Sequence, residues 1–240
     1  MNVALAQLLR KPEPHTLMLL AFSAGSVLIF VKLTDWVLSG GTETVDHYIL
    51  LSMRESHHGD NPIGPGWFEE MARDFTALGG IPILMMLCAA VSSYLWMDQK
   101  PRAALFIIVT ALSGLLVSTL LKEVIDRPRP DLVQASTRVY TSSFPSAHAM
   151  LSACVYLAFA TLLAQAQRLK RQKTAVFLFC SMVIVLVGFS RIYLGVHWPS
   201  DVMAGWMAGA SWTLICWLVY KRYNAQNPPL ESSKNTTQRN

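Results

Sequence analysis

Six long apolar runs constrain the fold of this chain more than any other feature of its sequence. An α-helix needs roughly 20 apolar residues to cross the ~30 Å hydrocarbon core of a bilayer, and each run is close to that length. The pattern therefore predicts an all-α polytopic membrane protein built as a six-helix transmembrane bundle. The runs lie near residues 16–38, 77–97, 103–121, 148–166, 174–194 and 202–220.

The composition agrees with a membrane protein and argues against a soluble one. Of the 240 residues, 52% are hydrophobic and only 15% are charged, and the mean hydropathy is +0.36. The net charge of +5 does not indicate a nucleic-acid partner, because the sequence has no soluble basic segment with interleaved aromatic residues. The first run continues to Leu38 without a small-residue cleavage site, so we expect an uncleaved first helix rather than a signal peptide.

One membrane-embedded domain, residues 1–223, accounts for all six runs. Residues 224–240 are rich in Asn, Gln, Ser and Thr and predict a disordered polar tail. The cysteines lie inside apolar runs without CxxC spacing, which favours neither a disulfide framework nor a zinc site and suggests buried spectators. They are Cys88, Cys154, Cys180 and Cys216.

The first outer loop contains a second kind of helical pattern. After the turn signals of residues 59–66, the side chains of Trp67, Phe68, Met71 and Phe75 recur at helical spacing with charged residues between them. This pattern predicts an amphipathic helix at the membrane interface.

Basic residues divide the loops into two sides. The side that also holds the termini carries Arg10, Lys11, Lys100, Arg102, Arg168, Lys170, Arg171, Lys173, Lys221 and Arg222. By the positive-inside rule this side is cytoplasmic. The opposite loops, residues 39–76, 122–147 and 195–201, hold most of the reactive side chains, so we expect an active site on the periplasmic or extracellular side of the plasma membrane.

The first polar cluster combines Lys122 with Arg129, which precedes Pro130. Both cations could converge on one anion. Taken alone, however, Lys and Arg at helix ends are usually interface anchors, and this alternative stays open. We interpret Arg127 and Arg138 as such anchors.

The second cluster, residues 144–148, places Ser146, Ala147 and His148 at the start of the fourth run. Helix N-termini bind anions because their first N–H groups have no intrahelical partner. Two ordinary roles remain possible: Ser146 as a plain N-cap and His148 as a satisfied polar residue.

The third cluster, residues 190–201, contains Arg191, His197 and Asp201. Asp201 follows His197 by four residues and can hold one ring nitrogen if Pro199 begins the last helix, which leaves the other nitrogen free to react. Arg191 lies near membrane depth and needs a partner or ligand. A structural Arg–Asp pair is the alternative.

Together the three clusters resemble the signatures KxxxxxxRP, PSGH and SRxxxxxHxxxD of the type 2 phosphatidic acid phosphatase superfamily. Order and internal spacing match over residues 122–130, 145–148 and 190–201, within a resemblance that covers residues 70–220. One departure is Ala147 in place of glycine, at a position the family uses through its backbone N–H. Residues 73–80 also resemble the start of the second helix in bacterial members and suggest packing or support of the site.

The resemblance implies a role for each matching residue. His197 would be the nucleophile that forms a phosphohistidine, Asp201 would orient its ring, and His148 would act as acid and then as base. The phosphate would be bound by Lys122, Arg129, Arg191, Ser146 and the N–H of Ala147. It also implies no cofactor and no metal.

A lipid can bring its headgroup laterally to a polar site at the outer end of a helix bundle, so a lipid phosphate or diphosphate is the expected substrate. Undecaprenyl diphosphate is our first choice, because an outward-facing site suits carrier recycling. Phosphatidic acid, phosphatidylglycerophosphate and lipid A phosphates stay open, as does the oligomeric state. A membrane transporter is the alternative from another class.

Overall fold

The structure is a computed structural model that describes residues 14–55, 61–131 and 142–227. Within these ranges the chain forms helices and no strand, which confirms the all-α prediction. The helices are α1 (Pro14–Leu38), α2 (Glu43–Leu51), α3 (Gly66–Ala77), α4 (Ile81–Met97), α5 (Pro101–Val124), α6 (Ala147–Ala166), α7 (Lys170–Tyr193) and α8 (Pro199–Gln226).

The number of membrane spans depends on how one bent pair is counted. Across the described residues, five helices are long and apolar enough to cross a membrane, namely α1, α5, α6, α7 and α8. Helices α3 and α4 qualify together but meet at a 49° bend, so the total is up to six. The predicted second run, residues 77–97, corresponds mainly to α4, the second helix of this bent pair.

The outward faces of these helices remain apolar. Phe22 and Leu28 on α1 are 62% and 65% exposed, and Leu178 and Phe179 on α7 are 66% and 63% exposed. Large exposed apolar surfaces are unfavourable in water but suit the hydrocarbon of a bilayer. The bundle is thus apolar outside as well as inside.

Helix α6 is the central element of the bundle and packs against α4, α5, α7 and α8. Two glycines let α8 approach it closely. A Cβ at Gly205 would lie 2.7 Å from the carbonyl oxygen of Ser146, and one at Gly209 would lie 2.4 Å from that of Met150. Small residues four apart are a common device for close helix packing in membranes.

Some local expectations need revision. The short helix α2 lies in a loop where none was predicted, and α8 continues to Gln226, three residues into the segment predicted as tail. Residues 228–240 lie outside the described residues. The predicted helix of the first outer loop is present as α3, where Trp67 is 64% exposed. The thiols are free, those of Cys88, Cys154 and Cys180 are buried, and that of Cys216 is half-buried.

All three polar clusters lie at one end of the bundle. Helix α5 ends at Val124 and α7 at Tyr193, whereas α6 begins at Ala147 and α8 at Pro199. Since these helices alternate in direction, those four ends meet at the same side. The fold thereby gathers residues that are far apart in the sequence.

Candidate active site

The buried imidazole of His197 is held between an acid and a cation. Its Nδ1 lies 3.4 Å from Oδ2 of Asp201, and its Nε2 lies 3.2 Å from Nη1 of Arg129. Nδ1 carries the proton and donates it to the carboxylate, whereas the lone pair of Nε2 accepts from the guanidinium. These two partners therefore assign the tautomer protonated on Nδ1. Burial lowers the pKa of His197 to about 4, against the opposing effect of Asp201. The ring is therefore neutral near pH 7.

Asp201 is held rigidly by several donors. Pro199 begins α8, which is the condition stated above for contact between Asp201 and His197, and the backbone N–H of Trp198 donates to Oδ2 of Asp201 over 2.9 Å. The hydroxyl of Ser143 also donates to Oδ2, and the guanidinium of Arg127 donates to Oδ1 over 2.6 Å. These contacts fix the carboxylate that faces the imidazole.

Lys122 and Arg129 share an acceptor. Nζ of Lys122 donates to the carbonyl oxygen of Ser142 over 2.6 Å, and Nη2 of Arg129 lies 3.4 Å from the same oxygen. Nη1 of Arg129 also donates to the carbonyl oxygen of Val196 over 2.8 Å. Burial lowers the pKa of Arg129, an effect that Asp201 opposes. The two predicted phosphate-binding cations thus converge beside His197, as expected if they act on one anion.

Ser146 precedes the first residue of α6 but does not cap the helix. Its hydroxyl makes no capping hydrogen bond and, although buried, has no partner among the described residues. Its backbone N–H instead donates to the carbonyl oxygen of Asp201 over 3.0 Å. The plain N-cap alternative is therefore wrong. Ala147 follows as the first residue of α6, where backbone N–H groups lack intrahelical acceptors.

His148 and Arg191 complete the cluster. His148 is close enough to the other site residues to interact with them electrostatically. They are Arg191, His197, Arg129 and Lys122. Nη1 of Arg191 donates to Oγ1 of Thr76 over 3.0 Å, and its buried Nε has no partner among the described residues.

The interpretation of Arg127 as an interface anchor is wrong. Its side chain is only 11% exposed and forms ion pairs with Asp46 and Asp201. Arg127 therefore belongs to the buried polar network beneath His197 instead of the membrane surface. Arg138 lies outside the described residues.

Sequence patterns did not identify several members of this network. Asp46, Ser142 and Ser143 were missed, because each acts through long-range contacts that no local spacing indicates. Thr76, in contrast, lies within the segment predicted to support the site. In the described part of the chain no three His, Cys, Asp or Glu side chains are grouped to hold a metal ion, and metal independence stays a prediction.

Comparison with known proteins identifies the family. The model of the PAP2 superfamily matches residues 102–225. The chain belongs to the PAP2 superfamily. The matched segment contains all three signatures, and the resemblance inferred from them is confirmed.

Relatives and a solved structure extend this result. The chain is 35% identical over 147 residues to phosphatidylglycerophosphatase B of Bacillus subtilis, a match that covers 60% of this chain and 70% of that protein. A 28-residue stretch is 68% identical to an undecaprenyl-diphosphatase of Sulfolobus acidocaldarius but covers 12% of this chain and 13% of that protein. A crystal structure of a transmembrane PAP2-type phosphatidylglycerolphosphate phosphatase from B. subtilis aligns with a TM-score of 0.75 at 26% identity, covering 87% of this chain and 98% of that one.

These findings make the chain a multi-pass membrane enzyme, a lipid phosphatase of PAP2 type. The transporter alternative receives no support from them. The first choice of undecaprenyl diphosphate is not confirmed, because the relative of that name matches only a short stretch. The alternative of a phosphatidic acid or phosphatidylglycerophosphate phosphatase is better supported.

Proposed function

We propose that this PAP2 enzyme hydrolyses the phosphate monoester of a glycerophospholipid, with phosphatidylglycerophosphate first and phosphatidic acid second. Catalysis proceeds through a phosphohistidine on His197. The observation that carries this mechanism is the position of the imidazole of His197, which Asp201 holds on one nitrogen while the other nitrogen faces Arg129. Such an arrangement is what a nucleophilic histidine requires.

In the first step Nε2 of His197 attacks phosphorus, and the N–P bond forms as the bond from phosphorus to the lipid oxygen breaks. His148 gives its proton to that oxygen, and the lipid alcohol departs. In the second step His148 takes a proton from water, the resulting hydroxide attacks phosphorus, and the N–P bond breaks to release inorganic phosphate. Asp201 stabilises the positive ring of the intermediate.

Lys122, Arg129 and Arg191 bind the equatorial oxygens of the phosphoryl group, where charge spreads in the transition state. The unpartnered hydroxyl of Ser146 and the N–H of Ala147 add neutral donors. A residue with a side chain at position 147 still donates its N–H, so the departure from glycine is compatible with this role. Three fixed cations replace a divalent metal ion in this mechanism.

The substrate class is supported by the relative named phosphatidylglycerophosphatase B, which matches over most of its length. The distribution of Lys and Arg among the loops supports an active site on the outer side of the plasma membrane. An outward-facing site would also suit undecaprenyl diphosphate, which is therefore the competing substrate in the test.

The nucleophile is tested with His197→Ala. Purified enzyme in detergent should lose turnover by about 10³-fold or more, because no covalent route remains. Brief incubation of wild type with ³²P-labelled substrate should trap an acid-labile, alkali-stable phosphoenzyme that His197→Ala does not form. His47→Gln, an exposed histidine at the same end of the bundle, is the matched control. Near-normal phosphate release by His197→Ala would exclude this mechanism.

The substrate is tested by phosphate release from a panel containing phosphatidylglycerophosphate, phosphatidic acid and undecaprenyl diphosphate. We expect the highest kcat/KM for phosphatidylglycerophosphate. A higher value for undecaprenyl diphosphate would restore the first choice made from the sequence and leave the phosphohistidine mechanism untouched.

A further inference from the structure

Arg127 joins two buried carboxylates that come from opposite ends of the sequence. Its Nη1 donates to Oδ1 of Asp201 over 2.6 Å, and its Nη2 donates to Oδ2 of Asp46 over 2.8 Å. The side chains of Asp46 and Asp201 are 2% and 0% exposed. Ion pairs buried to this degree are only weakly screened by solvent.

Asp46 also holds the start of α8. Its Oδ1 accepts from the backbone N–H of Ser200 over 2.9 Å, and its Oδ2 accepts from the hydroxyl of Ser200 over 2.6 Å. Asp201 directly follows Ser200. The carboxylate of Asp46 therefore positions both the first turn of α8, which carries Asp201, and the guanidinium of Arg127, which binds Asp201.

The charges of Asp46, Arg127 and Asp201 together determine the electrostatic effect of this network on His197. Asp201 and Arg127 alone sum to zero, and a neutral pair does little to stabilise a positive imidazole. Asp46 adds a second negative charge, so the three groups together present a net charge of −1 to His197. On its other side the imidazole faces Arg129, and both Arg129 and Arg191 disfavour a positive ring.

We propose that Asp46 is a positioning residue for phosphoryl transfer, which offsets the charge of Arg127 and keeps the Asp201 carboxylate effective toward His197. The inference rests on the proposed role of His197 as nucleophile. Asp46 lies outside the segment matched by the family model, residues 102–225. A part of the chain beyond the three signatures therefore contributes to the chemical step.

The variant Asp46→Asn, a matched control and a double variant that also carries Arg127→Gln test the proposal. Asp46→Asn leaves Arg127 to cancel the negative charge of Asp201, and kcat should fall about 10- to 100-fold, a loss comparable to that of removing an outer partner of a metal-ligating histidine. KM and inhibition by inorganic phosphate should not change, because the phosphate-binding cations are intact. Glu43→Gln is the matched control, since it removes an exposed carboxylate from the same helix and should keep wild-type kcat.

The double variant separates charge compensation from ordinary structural support. Asp46→Asn with Arg127→Gln removes both charges, leaves Asp201 with a net charge of −1, and should recover most of the kcat lost in Asp46→Asn. If the two carboxylate contacts mattered only for packing, the double variant would be at least as impaired as Asp46→Asn. That result, or an Asp46→Asn enzyme equal to Glu43→Gln, would overturn the proposal.

Folding is checked by thermal unfolding in detergent and by the inhibition constant of inorganic phosphate. Should Asp46→Asn not fold, the double variant decides alone: kcat within about tenfold of wild type, or 1.4 kcal/mol, supports the proposal, and a folded but inactive double variant overturns it. Trapping of the phosphoenzyme in wild type is independent of these variants. Its absence would refute the proposed function itself, whereas its presence with unaffected Asp46→Asn would refute only the role of Asp46.

Discussion

The hydroxyl of Ser146 shows how a single atom distinguishes two roles for a residue at a helix start. A capping serine stabilises its helix through a hydrogen bond to the first turn, and losing that bond costs about 1 kcal/mol. Ser146 makes no such bond, and its buried hydroxyl has no partner among the described residues. The group is therefore available to a ligand.

Ser146→Ala should consequently lower activity without lowering stability. We expect kcat/KM to fall roughly 10- to 100-fold, because one donor to the phosphoryl oxygens is lost, while the midpoint of thermal unfolding stays the same or rises. Phosphate release and thermal unfolding in detergent measure the two effects. A lower unfolding midpoint with normal kcat/KM would return Ser146 to the role of a helix cap.

His197 provides a second prediction at this scale, about its charge. Because burial lowers its pKa to about 4, the ring should stay neutral as the pH falls through 6.5 and should protonate only near pH 4. Nitrogen-15 spectra of histidine-labelled enzyme report the protonation of each ring, and the resonance missing from His197→Asn assigns the signal. A titration midpoint near 6.5 would show that the imidazole is not desolvated in the folded protein.

At the scale of elements, the contact between α6 and α8 determines where the residues of α6 that we propose to bind phosphate lie. The backbones approach closely at Gly205 and Gly209, next to the turn that carries Ser146. The two glycines four apart are visible in the sequence, but a glycine pair indicates close packing only when the partner helix is known.

Gly209→Ala should separate these helices. Its Cβ would lie 2.4 Å from the carbonyl oxygen of Met150, so we expect a loss of about 1 to 3 kcal/mol of stability together with reduced turnover. Gly25→Ala on α1 is the control, because its Cβ would meet no atom within 4 Å and alanine favours a helix. Equal unfolding midpoints for the two variants would contradict the close contact.

Residues that are close together in the sequence could be predicted as parts of the site, whereas contacts between distant segments could not. Lys122, Arg129, His148, Arg191, His197 and Asp201 belong to spacings within short segments, and those spacings are visible in the sequence. The bond between Asp46 and Ser200 joins residues 154 apart, and no periodicity connects them. For the same reason Arg127 was assigned to the membrane surface, where an isolated arginine at a helix end usually lies.

For the molecule as a whole, the apolar runs were enough to predict the class of fold and nearly every span. The 49° bend between α3 and α4 could not be predicted in the same way, because hydropathy measures composition and not direction. The meeting of four helix ends follows from the alternation of the spans, and it explains why three distant clusters form one site.

The orientation of the whole bundle gives a final prediction. The short connections at residues 98–102 and 167–173 carry six Lys or Arg residues, and such loops usually stay in the cytoplasm. A reporter active only outside the cytoplasm should work when inserted near Ser136 and fail when fused after Asn227, and a cytoplasmic reporter should do the reverse. Should the insertion at Ser136 report cytoplasm, the site would face inward and act on lipids of the inner leaflet.

The carbonyl oxygen of Ser142 affects how tightly the site can hold substrate and product. Lys122 and Arg129 both direct donors to it, so a phosphate bound as proposed would replace this acceptor and would gain less affinity than two new charged contacts would give. After inorganic phosphate leaves, the same carbonyl oxygen would again accept from Lys122 and Arg129, so neither cation would be left without a hydrogen-bond acceptor. We therefore expect both substrate and product to be bound less tightly, which would shorten the residence of the product and free the site for the next lipid.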